Sequence, residues 1–159
     1  TGVWRYQHFN RGTVVTQGVD LGAALRVLPG LTLRAGYSLL DATDREAGAQ
    51  LPYRSRHAAN WTAAWNSEPL QLDVNLGGEL TGPMPTQRRE GDRLVAGDPS
   101  PLFAVWNGRV TKRFGARYAA YVAVNNILGF VQDEWLEEDV PLWGPNRGRY
   151  IVAGLKLSV

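Results

Sequence analysis

The chain has 159 residues, a length for one domain, and is 44% hydrophobic, 10% aromatic and 20% charged, which excludes a disordered or collagen-like chain. Seventeen Lys and Arg against 15 Asp and Glu leave a net charge of +2, no electrostatic footprint for a dedicated nucleic-acid binder. The absence of Cys excludes a disulfide framework, a thiol nucleophile and Cys-ligated zinc, and two His give little basis for a buried transition-metal site.

In chain order the signal is a period of two, the mark of strands with one apolar and one polar face. Val3 to Phe9 reads as a strand of its own or as the upper part of the next. Val15, Val19, Leu21, Ala23, Leu25 and Val27 share a face opposite Thr16, Gly18, Asp20, Gly22 and Arg26. Leu31, Leu33, Ala35, Tyr37 and Leu39 alternate with Thr32, Arg34, Gly36 and Ser38. Ala59, Trp61, Ala63 and Trp65 oppose Asn60, Thr62 and Ala64. From Leu70 to Thr81 the alternation is strict. Leu102, Ala104, Trp106, Gly108 and Val110 oppose Asn107, Arg109, Thr111 and Arg113. Ala120, Val122 and Val124 form a weaker segment, and Ile151, Ala153, Leu155, Leu157 and Val159 the last. These are seven strands, eight with Val3 to Phe9, and no segment has a helical period.

The connections alternate in length. Pro29-Gly30, Asn66 to Pro69 and Gly115 to Arg117 carry tight-turn chemistry. Between them lie long polar stretches, Asp41 to Arg56, Gly82 to Pro101 and Gly129 to Gly148, read as structureless loops and uncommon in compact soluble domains. Short turns at one end and long loops at the other describe an antiparallel up-and-down meander, the arrangement of an outer-membrane barrel. An apolar face of about 10 residues per strand matches a tilted transmembrane strand. In such a barrel the apolar face meets lipid and the polar face lines a wet lumen. Arg34, Asp73, Glu79, Arg109 and Arg113 are then lumen-facing, and Trp61, Trp65, Trp106, Tyr37, Tyr118 and Tyr150 fall near strand ends, where an interfacial girdle sits. The competing reading is a soluble β domain with these aromatics in its core.

Thr16-Gln17-Gly18-Val19-Asp20-Leu21, Leu31 to Ala42, Leu51 to Asn60, Val122 to Leu128 and Gly148-Arg149-Tyr150 resemble, in order, motifs in the C-terminal part of the β-barrel of TonB-dependent outer-membrane receptors. The chain departs from them at Gly129, where the usual Asp is missing, at Ser55-Arg56, where Pro is common, and at Val159, where outer-membrane barrels usually end in Phe or Trp. The resemblance implies an all-β segment over 1–159, part of a transmembrane barrel in the bacterial outer membrane, without the plug domain. It also implies uptake of a scarce nutrient, such as a siderophore-metal chelate or cobalamin. The partners implied are outer-membrane lipid, the remaining strands and plug of the same receptor, TonB through that plug, and the nutrient. The chain, which begins at Thr1, reads as a fragment, a truncated product or a piece of a split receptor.

Two loop clusters are candidate ligand sites. Arg88, Arg89 and Arg93 suit phosphates or an anionic ligand, because guanidinium forks match phosphate geometry. The acidic run Asp133, Glu134, Glu137, Glu138 and Asp139, with Trp135 and Trp143, suits a cation. Both also read as solvated loops. His8 and His57 are too few for a metal site. Ser55 and His57 sit in one local stretch with no reason to form a dyad, so no catalytic residue, cofactor or nucleic-acid partner is expected. The alternative architecture is a self-contained eight-stranded barrel, a structural or ligand-binding module, closed by pairing Val3 to Phe9 with Ile151 to Leu157.

Overall fold

The computed structural model describes residues 13–132 and 143–157. It contains ten strands: β1 (Val14–Leu28), β2 (Leu31–Asp44), β3 (Ala49–Gln50), β4 (His57–Ser67), β5 (Leu72–Thr81), β6 (Gln87–Glu90), β7 (Arg93–Ala96), β8 (Phe103–Phe114), β9 (Tyr118–Asn125) and β10 (Tyr150–Leu157). The main sheet runs β1-β2-β4-β5-β8-β9-β10, with β3 added to β2, and β6 and β7 form a separate hairpin. Every ladder is antiparallel. The fold is thus the all-β antiparallel meander expected, with no helix among the described residues.

Register sorts the residues into two faces, because side chains alternate along each strand and opposed residues share a face. Ala35, Trp61, Gly78 and Trp106 stand opposite one another across β2, β4, β5 and β8. One position along, Arg34, Thr62, Gly77 and Asn107 form a polar row. The apolar face is bare. Leu21 and Leu25 are each 63% exposed, Ile151 68% and Leu155 88%. Among the described residues the buried apolar side chains are only Ala42, Met84 and Phe103. A soluble sheet hides its apolar face, so an exposed band of this size marks contact with something apolar. The lengths fit: β4 has 11 residues, β5 has 10 and β8 has 12, and a tilted strand needs about 9–11 to cross the hydrocarbon. The soluble-core alternative fails on this point, since Tyr37, Trp106, Tyr118 and Tyr150 are exposed.

Three expectations are corrected. The strand read from Leu70 begins at Leu72: Gln71 has φ of 48° and its N–H donates to the Glu68 carbonyl at 3.0 Å, so Leu70 closes the turn. The stretch Gly82 to Pro101 is not structureless, because β6 and β7 pair within it around Gly91. Asp41 to Arg56 is partly strand as well, through the end of β2 and its pairing with β3. The Pro29-Gly30 turn is as expected. Gly30 has φ of 83°, and its carbonyl accepts the Asn66 N–H at 2.9 Å, joining it to the neighbouring turn. β1 and β10 are the two ends of the sheet and do not pair with each other. Val3 to Phe9, on which closure would rest, lies outside the described residues.

Candidate ligand surface and polar face

The long connections all leave one end of the sheet, and their described parts are held by specific hydrogen bonds. Before β6, Met84 and Ser100 are joined by two hydrogen bonds: Ser100 N–H donates to the Met84 carbonyl at 2.9 Å, and Met84 N–H donates to the Ser100 side-chain Oγ at 3.1 Å. Thr86 Oγ1 donates to the Asp98 carbonyl at 2.6 Å. These bonds zip the arms of the hairpin together and leave Met84, Thr86 and Ser100 buried. Tyr53 ties this hairpin to the preceding connection. Its N–H donates to the Pro85 carbonyl at 2.8 Å. Its hydroxyl accepts from Gln87 N–H at 3.1 Å and donates to the Gln87 carbonyl at 3.2 Å. Tyr53 holds φ of 59°, a conformation that a non-glycine residue adopts only when its surroundings enforce it. A groove of about 340 Å³ lies between the two connections, lined by Asp44, Leu51, Pro52, Pro85 and Thr86 among others.

The β9–β10 connection is pinned at its base. Asn126, 4% exposed with φ of 50°, donates from Nδ2 to the carbonyls of Phe130 at 2.6 Å and Arg147 at 2.9 Å. Its N–H donates to Asn107 Oδ1 at 3.0 Å. Gln132 Oε1 accepts from the N–H groups of Trp143 and Gly144, each at 3.0 Å. Phe103 stacks on Phe130 at 4.8 Å between ring centroids, and Trp143 leans on both.

The predicted ligand residues are not gathered at one point. Arg88 stands opposite Val95 and Arg89 opposite Leu94 on β6 and β7, so neighbouring arginines face opposite ways. Arg93 stands opposite Glu90 and shares its face. Arg89 turns back on its own hairpin, with Nε donating to the Gly91 carbonyl at 3.0 Å. All three are exposed. Trp143 is half-buried in the aromatic cluster at the base of its connection. Asp133, Glu134, Trp135, Glu137, Glu138 and Asp139 lie outside the described residues, as does His8.

Arg34, Asp73, Glu79, Arg109 and Arg113 all fall on the polar face by register. Arg34 and Arg109 line one trough of about 470 Å³ with Thr62, Asn75 and Asn107. Arg109 lies over the Tyr121 ring at 3.8 Å and donates from Nε to Thr111 Oγ1 at 3.3 Å. Arg113 pairs with Asp73 at 3.5 Å and with Glu68 at 3.2 Å, and Asn66 also bonds Asp73. Arg34 and Glu79 make no ion pair among the described residues.

On the apolar face the upper limit is marked by Tyr37, whose hydroxyl lies 2.6 Å from His57 Nδ1. Beyond Leu39 comes Asp41, bonded by Gln17 at 3.3 Å, Thr43 at 3.1 Å and Arg56 at 3.3 Å. Those bonds, Gln17 first, hold its carboxyl below the usual range. Among the described residues no three His, Asp or Glu side chains converge on a metal position. Tyr53 and Asn126 are the residues whose importance the periodicity did not signal, because both lie where the alternation stops.

The comparisons with known proteins agree with this arrangement. The profile of the family described as TonB dependent receptor-like, beta-barrel, matches residues 1–127. No curated protein matches the chain. Among solved structures, the pyoverdine outer-membrane receptor FpvA from Pseudomonas aeruginosa superposes with a TM-score of 0.69 and 12% identity, over 92% of this chain and 22% of that one. The copper transporter OprC gives 0.67 and 15% identity, over 92% and 24%. The FrpB iron transporter from Neisseria meningitidis gives 0.66 and 16% identity, over 91% and 24%. At these identities the likeness is one of fold, and the chain spans about a quarter or less of each. The exposed apolar band, the polar row on the other face and the profile match agree: the chain belongs to the β-barrel family of the TonB-dependent receptors, proteins of the outer membrane.

Proposed function

We propose that this chain forms part of the barrel wall and outer loops of a receptor that takes up a scarce nutrient, a siderophore-metal chelate or cobalamin. The observation that carries the reading is the profile match across residues 1–127, on a sheet with one apolar and one polar face. Structural neighbours support it by what they handle: one is bound to pyoverdine, one transports iron and one copper. In this reading the wall does no bond-making chemistry. Arg88, Arg89, Arg93, Trp143 and the segment with Trp135, Glu137 and Glu138 belong to the connections that contribute to ligand binding. Arg34, Asp73, Glu79, Arg109 and Arg113 line the lumen against a plug, and the plug meets TonB. Among the described residues β1 and β10 are each paired on one side only, which supports a need for further strands, since unpaired backbone groups are costly in lipid.

The test is genetic. Cells lacking the gene for this chain are grown with iron supplied only as one defined ferric siderophore at a time, then under cobalamin or copper limitation. Loss of growth or of labelled uptake with one nutrient, restored by the gene, is expected. Unimpaired growth and uptake under every condition would overturn the reading.

A further inference from the structure

Among the described residues one cation interrupts the apolar face. Lys112 stands opposite Leu72 on β5 and Ala120 on β9, between Val110 and Phe114 on the same face. Both neighbours point outward and are bare, Val110 at 45% and Phe114 at 55% exposed. A charge on the lipid face is costly at the bilayer midplane, and that cost fades near the interface. Lys112 also leans to the end of the sheet: Nζ donates to the Leu70 carbonyl at 2.6 Å, in the turn before β5. This is the snorkelling posture, an apolar stem along the band and an ammonium at its rim.

The surroundings suit an anion. An ammonium has three donors, and the Leu70 carbonyl takes one. Tyr118 stands opposite Phe114, diagonal to Lys112 on the same face, and is 59% exposed. Its hydroxyl has no hydrogen-bond partner among the described residues. Arg117 is exposed in the adjoining turn. Near this end of the sheet Arg26, Lys112, Arg113, Arg117 and Lys156 stand against Glu68 and Asp73, and both of those carboxylates are engaged by Arg113. On the outer-membrane location given above, we propose that the short-turn rim at β8 and β9 binds the phosphate of a phospholipid headgroup. Lys112 and the Tyr118 hydroxyl are the donors, and Arg117 supplies further positive charge. Val110 and Val122, one rung inward of Lys112 on the same face, flank the acyl chains below the headgroup.

The chain contains only two lysines, Lys112 and Lys156. Lys156 stands opposite Ala119, on the other face at the same end of the sheet, and serves as an internal control. The full chain, labelled at the lysine side-chain nitrogens, is reconstituted in phosphatidylcholine bilayers with and without phosphatidylglycerol. Solid-state dipolar coupling is then measured from each nitrogen to lipid phosphorus. Coupling at Lys112 and none at Lys156 is the expected result. Equal coupling at both, or at neither, would overturn the proposal. Vesicle flotation separates a site from net charge. Lys112→Met, which extends the apolar face, should weaken association several-fold more than Arg34→Gln on the polar face. Equal losses would reduce the effect to bulk electrostatics and sink the site.

Discussion

Trp61 of β4 and Trp106 of β8 meet edge to face across Gly78 of β5, ring centroids 5.2 Å apart and planes at 84°. A Cβ at residue 78 would lie 2.6 Å from Trp61 Nε1 and 2.7 Å from Trp106 Cδ1. The glycine is what lets two large rings from strands two apart close over the sheet. Gly78→Val should separate them at a cost of about 2 kcal/mol, from the lost aromatic contact and the crowding it introduces. The unfolding midpoint in micelles, read with tryptophan fluorescence, checks this. An unchanged emission spectrum and midpoint would show that the pair is incidental.

Asn126 acts at the base of the β9–β10 connection. Asn126→Ala should cost about 3 kcal/mol, from two lost hydrogen bonds and a left-handed backbone that alanine disfavours. Asn126→Gly keeps the backbone and loses only the bonds, so it should cost about 2 kcal/mol. Chemical denaturation of both variants gives the ranking. If the glycine variant is the less stable of the two, the strained φ of 50° is not part of the residue's role.

Tyr53 holds two long connections together. Tyr53→Phe removes both hydroxyl bonds to Gln87 and should raise hydrogen exchange across Gln87–Ala96, with a loss of about 1–2 kcal/mol of local stability. Exchange in β4 and β5 should stay as it was. Protection of the hairpin identical to that of the unsubstituted chain would mean that its own bonds, such as Thr86 to Asp98, suffice.

Asp41 gives a pH dependence. Gln17, Thr43 and Arg56 favour its charged form, so the stabilisation is complete above the ordinary carboxylate range and is lost as pH falls through the lowered folded value. Acidification should release Arg56 only below the ordinary carboxylate range, and Asp41→Asn should abolish that step. Carboxyl and guanidinium resonances followed by NMR report it. The same acid response in Asp41→Asn would assign it to another group.

How much of this was legible before the fold was known differs by region. The seven long strands, their faces and the short turns followed from alternation. The β6–β7 hairpin did not, because Gln87-Arg88-Arg89-Glu90 carries no apolar period and its pairing rests on backbone bonds around Gly91. The grouping of Arg88, Arg89 and Arg93 as one cluster rested on nearness along the chain, whereas alternation on a strand sends Arg88 and Arg89 to opposite faces.

The amino-acid sequence by itself determined the period and which residues share a face, because backbone pleating makes these local properties. It also determined the asymmetry of the two ends, through Pro-Gly and Asn-Ser turns on one side and long polar runs on the other. Only the tertiary structure decided which side chains meet. Trp61 reaches Trp106, Tyr53 reaches Gln87 and Lys112 reaches the Leu70 carbonyl across 34 to 45 residues of chain. Such meetings depend on strand register, where a slip of one residue would turn every side chain to the other face.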